Sequence, residues 1–232
     1  MWTFNALHLP KLVRNALGDC RVFINDNGDF IKWEYLEKLH NLQLTEGVHC
    51  ADKISQKHMD WRKNKMKVSL AAQTLSRSAA SSIAFCRDDM KMKEFAESEA
   101  TCEFLLIFND LFDVLNSKSG RAQFLKGPMA QKTERYWRPV LLRARDYILG
   151  LKHPNTDKLL VKGPRKQAFA GFVFLIDGIL DIYDNYVLHG ELDFMLTFKL
   201  SQGTKRLNTC LYSNFYLMRN MEMSLTVFTG GS

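Results

Sequence analysis

The sequence predicts a mainly helical fold, and three observations carry that expectation. Apolar residues recur at helical spacing in several windows. Two windows, "ATCEFLLIFNDLFDVLNS" and "QAFAGFVFLIDGILDIYDNYVLHG", are long enough for helices of many turns. No internal repeat or low-complexity segment interrupts that pattern.

Taken in order, "MWTFNALHLPKLVRNALG" begins abruptly within apolar sequence, as a chain cut from something longer would. "DCRVFINDNGDF" reads as a loop around an Asn-Asp-Asn-Gly turn signal. "IKWEYLEKLHNLQ" places Ile31, Trp33, Leu36, Leu39 and Leu42 on a helical stripe. "HCADKISQKHMDWRKNKMKV" reads as a basic, mostly helical connector. "KVSLAAQTLSRSAASSIAFC" follows as a helix with Val68, Ala72, Leu75, Ala79 and Ile83 on one stripe; its small residues would admit a close helix or a ligand. "MKEFAESEATCEFLLIFNDLFDVLNSKSG" is the strongest helix, with Glu97 and Glu99 near its start and Gly120 past its end.

"SGRAQFLKGPMAQKTERYWRP" reads as loop because Gly-Pro and Arg-Pro break periodicity. "VLLRARDYILGLK" is a short helix, "HPNTDKLLVKGPRK" a loop, and the apolar segment from Gln167 to Gly190 a long helix. Asp177 within it fits a polar helix edge or a hydrogen-bonded carboxylate better than a catalytic acid. "ELDFMLTFKLSQ" leads to a short last helix. The final stretch, residues 203–232, shows neither period nor charged face and reads as a divergent tail.

Composition narrows the chemistry. At 232 residues the chain holds one large domain or two small ones, and 46% hydrophobic with 25% charged residues is enough apolar sequence for a packed core. A net charge of +7 favours polyanionic partners, but the lysines are dispersed and form no basic tail. Cys20, Cys50, Cys86, Cys102 and Cys210 are far apart, without CxxC or zinc spacing, which predicts reduced thiols in an intracellular protein. The six histidines form no HxxxH pair, and no Gly-rich phosphate loop is present. There is no signal-peptide pattern and no apolar run of membrane-spanning length.

The segment "FNDLFDVLN" at 108–116 poses the functional question. With Phe104 at zero on a helical wheel, Ile107, Phe108, Leu111 and Leu115 lie within about 60° of it and form the core stripe. Phe112 falls near 80°, Asn109 near about 140° and Asp113 near about 180°. An aromatic ring offers a stacking face, a carboxylate accepts two hydrogen bonds from guanine N1–H and the exocyclic amine, and an amide donates to O6. The same triplet also arises on the solvated edge of any amphipathic helix, and spacing alone leaves both readings open.

Several blocks in one order bring in a resemblance. "HLPKLVRN" at 8–15, "IKWEYLEKLHNLQ" at 31–43, "NKMKVSLAAQTLSRSAASSIAF" at 64–85, "ATCEFLLIFNDLFDVLNSKS" at 100–119 and "RKQAFAGFVFLIDGIL" leading to "FMLTFKLSQ" together resemble the P element transposase family, which includes the THAP-domain transposase-like proteins. The resemblance runs over roughly residues 4–202. It implies a helical GTP-binding insertion domain over 19–190, short remnants of an RNase H-like α/β domain over 1–18 and 191–202, and the divergent tail beyond. In that family GTP helps hold DNA and is not hydrolysed for energy, and two metals held by acidic residues perform the DNA chemistry.

Carried onto this chain, the guanine-contacting residues are Asn109, Phe112 and Asp113. The family's "KV" step falls on Lys67 and Val68, with Ser76 nearby, and Lys53 follows by spacing. A solvated lysine is the alternative for both lysines. Any Mg²⁺ would enter only with the nucleotide. Three family positions are changed. Asn5 stands where a catalytic Asp is expected, and Asn lacks the charge a divalent metal needs. After "KLSQ", Gly203 and Arg206 replace an Asp and the catalytic Glu, and a cation repels a metal. The first catalytic Asp and the zinc-bearing domain fall outside the sequence.

The resemblance therefore implies a GTP-binding, transposase-derived fragment that does not itself catalyse, acting in the nucleus. DNA phosphates and a full-length transposase are its further partners, with no membrane. A helical interaction module that inhibits a full-length transposase, and a decayed gene fragment, are the alternatives.

Overall fold

A 17-residue helix buried on most of its circumference organises the molecule. In the computed structural model, which describes residues 8–46, 54–156 and 158–198, seven further α-helices and one β-hairpin accompany that central helix. Calls on Asn5, Lys53, Cys50, Gly203, Arg206, Cys210 and the tail lie outside the described residues.

The first helix, α1 (Leu9–Cys20), starts with Pro10 in its first turn, where the missing N–H costs nothing. It buries Val13, Ala16 and Leu17. Strands β1 (Val22–Ile24) and β2 (Phe30–Lys32) then pair antiparallel in the register Val22–Lys32, Phe23–Ile31, Ile24–Phe30. The segment expected to be loop is thus a hairpin. Three-residue strands are too short to show alternation, although the turn signal is where it should be. Asn25 Oδ1 accepts the Asp29 N–H at 2.7 Å, and Gly28 takes φ +90°.

Helix α2 (Glu34–Glu46) begins after the hairpin, so Ile31 and Trp33 belong to the hairpin side of the core, not to the helical stripe. Among its described residues the expected basic helical connector is mostly turns, with α3 (Gln56–Met59) as its helical part ahead of α4. The single helix expected over 67–86 is two, α4 (Val68–Thr74) and α5 (Arg77–Asp88). Ser76 restarts the second: its hydroxyl accepts the Ala79 N–H at 3.1 Å as an N-cap.

The central helix is α6 (Glu99–Leu115). It buries Phe104, Phe108 and Leu111, with Phe104 and Phe108 ring centroids 4.7 Å apart and Phe108 edge-on to Phe172 at 5.4 Å. Helix α7 (Glu134–Gly150) runs through Pro139 and is longer than expected. The unbonded carbonyl four residues back belongs to Arg135, and both residues are exposed, so water can satisfy it. Helix α8 (Lys166–Ile182) continues into a π-helical turn, Tyr183–Val187. Arg138 of α7 pins that turn with two hydrogen bonds to Asp184 Oδ1, at 2.8 and 2.9 Å. Asp177, at the edge of α8, accepts from Arg145 Nε at 2.6 Å, a structural ion pair.

The last described segment returns to the end of α6. Met129 and Met195 exchange backbone hydrogen bonds of 2.9 Å, and Thr197 accepts the Ser117 N–H at 3.1 Å while donating to the Val114 carbonyl. The C-terminus of α6 is thereby satisfied by a residue more than 80 positions away in sequence.

Candidate functional site

The polar stripe of α6 lies between its core face and solvent. Asn109, Phe112 and Asp113 are all half-buried, as is Asn116 one turn further on. By wheel geometry these four span roughly 80° to 180° from Phe104, with Asn116 near 120°.

Helix α5 points its N-terminus at this stripe. Asn109 Oδ1 accepts the backbone N–H of Arg77 at 3.1 Å, and Asn109 Nδ2 donates to Asp110 Oδ1 at 2.9 Å. The Arg77 guanidinium reaches the same Asp110 oxygen at 2.6 Å. Ser76 and Asn109 therefore satisfy two first-turn N–H groups of α5 from opposite sides. That helix end carries the positive pole of the dipole and suits an anionic or carbonyl oxygen.

Asp113 is the residue with unspent acceptor capacity. Its closest cation is Lys126 Nζ at 3.7 Å, a loose pair with a lysine 70% exposed. Burial pushes the Asp113 carboxyl above the ordinary Asp range, and the Lys126 charge only partly opposes this. Asn116 Oδ1 is buried without a hydrogen-bond partner among the described residues. Two acceptors three residues apart on one face, one underpaired and one orphaned, match donors that a ligand would bring.

Lys67 and Val68 open α4. Lys67 is the extended N-cap residue and is exposed; Val68 is half-buried. Helix α4 packs on α1, α5 and α6, and it ends just before the Ser76 cap. The structure thus gathers Ser76, Asn109, Phe112 and Asp113 where α5 meets α6, and sets Lys67 and Val68 at the neighbouring helix start. Lys53 lies outside the described residues.

Arg77, Asp110, Asn116 and Lys126 escaped sequence reasoning. Asn116 sits at i+7 from Asn109 within the quoted segment, so the helical period could have found it. Lys126 stands in a 3-10 turn, Phe124–Lys126, whose approach to Asp113 no local pattern encodes.

A groove of about 570 Å³ opens between α5, α6 and α7 beside this stripe, and shares Arg77 and Asp110 with it. It contains none of the predicted site residues. Ala80 and Ala84 line it, and its three arginines each meet a carboxylate, Arg77 with Asp110, Arg143 with Glu103 at 2.8 Å and Arg87 with Asp88 at 2.7 Å, although Arg87 Nη1 is buried without a hydrogen-bond partner among the described residues. The small residues of α5 serve close packing on α6, where Cys102 Sγ donates to the Ala80 carbonyl at 3.5 Å. Among the described residues, no group of three His, Cys, Asp or Glu side chains converges as a metal site would. No helix among them is long and apolar enough to cross a membrane.

Comparisons with known proteins point to one family. Residues 7–128, just over half of the chain, match the family described as TNP-like, GTP-binding insertion domain. The human protein DNA transposase THAP9 is 28% identical over 200 residues, covering 85% of this chain and 22% of that protein. The Drosophila melanogaster transposable element P transposase is 32% identical over 120 residues, covering 48% of this chain and 14% of that protein. The chain therefore spans less than a quarter of these relatives' lengths. A solved structure, the Drosophila P element transposase strand transfer complex, shares the fold with a TM-score of 0.70 at 24% identity, over 85% of this chain and 43% of that one.

Proposed function

The chain belongs to the TNP-like, GTP-binding insertion domain family, and from that premise we propose that it binds GTP on the α6 face carrying Asn109, Phe112 and Asp113. The Asp113 carboxylate accepts guanine N1–H and the exocyclic amine. Phe112 gives the base a stacking surface. Asn109 Nδ2 turns from Asp110 to the O6 carbonyl, while its Oδ1 stays on α5. Ser76 and the α5 N-terminus, with Lys67 beside Val68 and Lys53, supply donors and charge for the phosphates. Mg²⁺ comes only with the nucleotide.

The observation that carries this reading is the underpaired acceptor pair on one stripe: Asp113 with one loose, exposed lysine, and Asn116 Oδ1 with no partner. A solvated helix edge would leave such atoms exposed to water; here they are half-buried.

The fragment takes no catalytic role in this reading. Asn5 and Arg206 stand where the family's acids are expected, and the flanks at 1–18 and 191–202 correspond to pieces of an RNase H-like domain. Acting in the nucleus, the module contacts DNA phosphates through its basic charge and associates with full-length transposase. Purified protein with Mg²⁺ or Mn²⁺ should cut terminal-repeat DNA no better than its Asn109→Ala variant.

Titration with a fluorescent GTP tests the central point. Binding should be saturable, competed by GTP and not by ATP, and lost in Asp113→Ala. Absence of binding below millimolar concentration would sink the proposal.

A further inference from the structure

Arg14 presents an unusual use of a charge. It lies on α1, is fully buried, and pairs with no carboxylate among the described residues. Burial pushes its pKa down to about 10, which still leaves it charged at neutral pH. Its Nη1 has no partner, and its Nε donates to the adjacent Asn15 Oδ1 at 2.8 Å. A buried guanidinium held so is costly unless its remaining donors do something specific.

Those donors go to backbone. Arg14 Nη2 donates to the Asn64 carbonyl at 3.0 Å and lies 3.5 Å from the Lys65 carbonyl. Asn15 Nδ2 adds a bond to Lys65 O at 3.3 Å. The same Asn64 carbonyl accepts the Lys67 N–H at 3.1 Å, and the Lys67 carbonyl accepts the Ala71 N–H that closes the first turn of α4. The far side of the turn is tied as well, because Asn64 Nδ2 donates to Lys57 O and Asp60 O, each at 3.1 Å. One oxygen therefore links Arg14 to the backbone of Lys67. A buried leucine would fill the space but could not hold these carbonyls.

We propose that Arg14 is a positioning residue for the nucleotide site: through the carbonyls of Asn64 and Lys65 it fixes the backbone step that presents Lys67 and Val68. The inference rests on the GTP reading above and adds the device that orients the phosphate-side lysine. Asn15 assists, and the "KLVRN" block of α1 owes its residue choice to this contact.

The test uses the full chain with Arg14→Lys, and Asn15→Ala as a milder variant should the first fold poorly. GTP affinity should fall by about tenfold, the worth of one charged hydrogen bond, while guanosine affinity stays unchanged. In a Lys67→Ala background Arg14→Lys should have no further effect on GTP. Without nucleotide, amide exchange at residues 67–71 should quicken while that of α6 does not.

Equal losses for GTP and guanosine, additivity with Lys67→Ala, or unchanged exchange at 67–71 would each overturn the proposal. If the wild-type chain binds no GTP, the nucleotide reading falls; exchange at 67–71 then still decides whether Arg14 holds the step, and an unchanged rate removes that too.

Discussion

Asn109 and Arg77 join two helices through a side chain-to-backbone hydrogen bond: the Asn109 side-chain oxygen on α6 accepts the first N–H of α5 at 3.1 Å. The bond fixes the direction in which the N-terminus of α5 points, and so where its dipole and the Ser76 hydroxyl face. The residue proposed for guanine recognition is thus also part of the scaffold. Asn109 can serve both because its oxygen caps the helix while its Nδ2 remains available for exchange between Asp110 and a ligand.

Asn109→Ala should therefore destabilise the protein even without nucleotide. The loss is that of a helix cap, about 1 kcal/mol, because the Arg77 N–H is left without its acceptor. Ser76→Ala should cost a similar amount through the Ala79 N–H. Urea unfolding of the nucleotide-free protein measures both. An unchanged midpoint for Asn109→Ala would mean that solvent caps α5 equally well.

Gly18→Ala tests the packing behind the Lys67 step. A Cβ at Gly18 would lie 2.6 Å from Trp61 Cε2 and 2.7 Å from its Nε1, and Trp61 is itself buried. Helix propensity alone would favour Ala by about 1 kcal/mol. Overpacking against a large buried ring costs about 1–3 kcal/mol, so the clash should win and the variant should be less stable. Denaturation followed by tryptophan fluorescence checks it; a more stable variant would show that the indole moves freely.

Acid should loosen the turn around His58. Its Nδ1 accepts the Ser55 N–H at 3.0 Å and its Nε2 meets Gln73 Oε1 at 3.0 Å, a pairing that fits the neutral ring. Burial lowers its pKa below the ordinary 6.5, and Arg14 and His40 nearby push the same way. Well above pH 6.5 both folded and unfolded rings are neutral and this contribution is flat. Below it the unfolded chain takes up a proton that the folded one refuses, so stability declines as pH falls from 6.5 toward the depressed folded value. Melting temperatures across that range should fall in the wild type, and by less in His58→Asn.

Local pattern made the long elements legible and left the short ones hidden. Helices α6 and α8 each bury a wide apolar face, and their periodicity appears directly in the sequence. The break between α4 and α5 was hidden because Val68, Leu75, Ala79 and Ile83 keep their stripe across it, and only the Ser76 cap marks the restart. Pro139 read as a breaker because local rules do not see that the carbonyl it strands is solvent-exposed. The polar stripe proposed to meet the base lies within one helix, so its residues share a face in the sequence itself, while its guanine role comes only from the resemblance. Its supports were not legible there: Lys126 reaches Asp113 from a turn, and Arg14 reaches Asn64 across 50 residues, contacts set by tertiary packing alone.

Asp113→Asn should separate stability from recognition. Because burial raises the Asp113 pKa, the folded state binds its proton more readily than the unfolded chain does. Stability from this group is then present at low pH and lost as pH rises through the raised folded value, so at neutral pH the ionised carboxylate is a burden. The loose pair with exposed Lys126 offsets little of it. The amide carries no charge to desolvate, and the nucleotide-free variant should melt higher than the wild type at neutral pH. Its GTP affinity should fall by about 10- to 100-fold, because an amide presents a donor where guanine also donates. Xanthosine triphosphate, which accepts at that position, should recover much of the loss. A variant that melts higher yet binds GTP undiminished would remove Asp113 from the site while keeping it as a strained carboxylate of the fold.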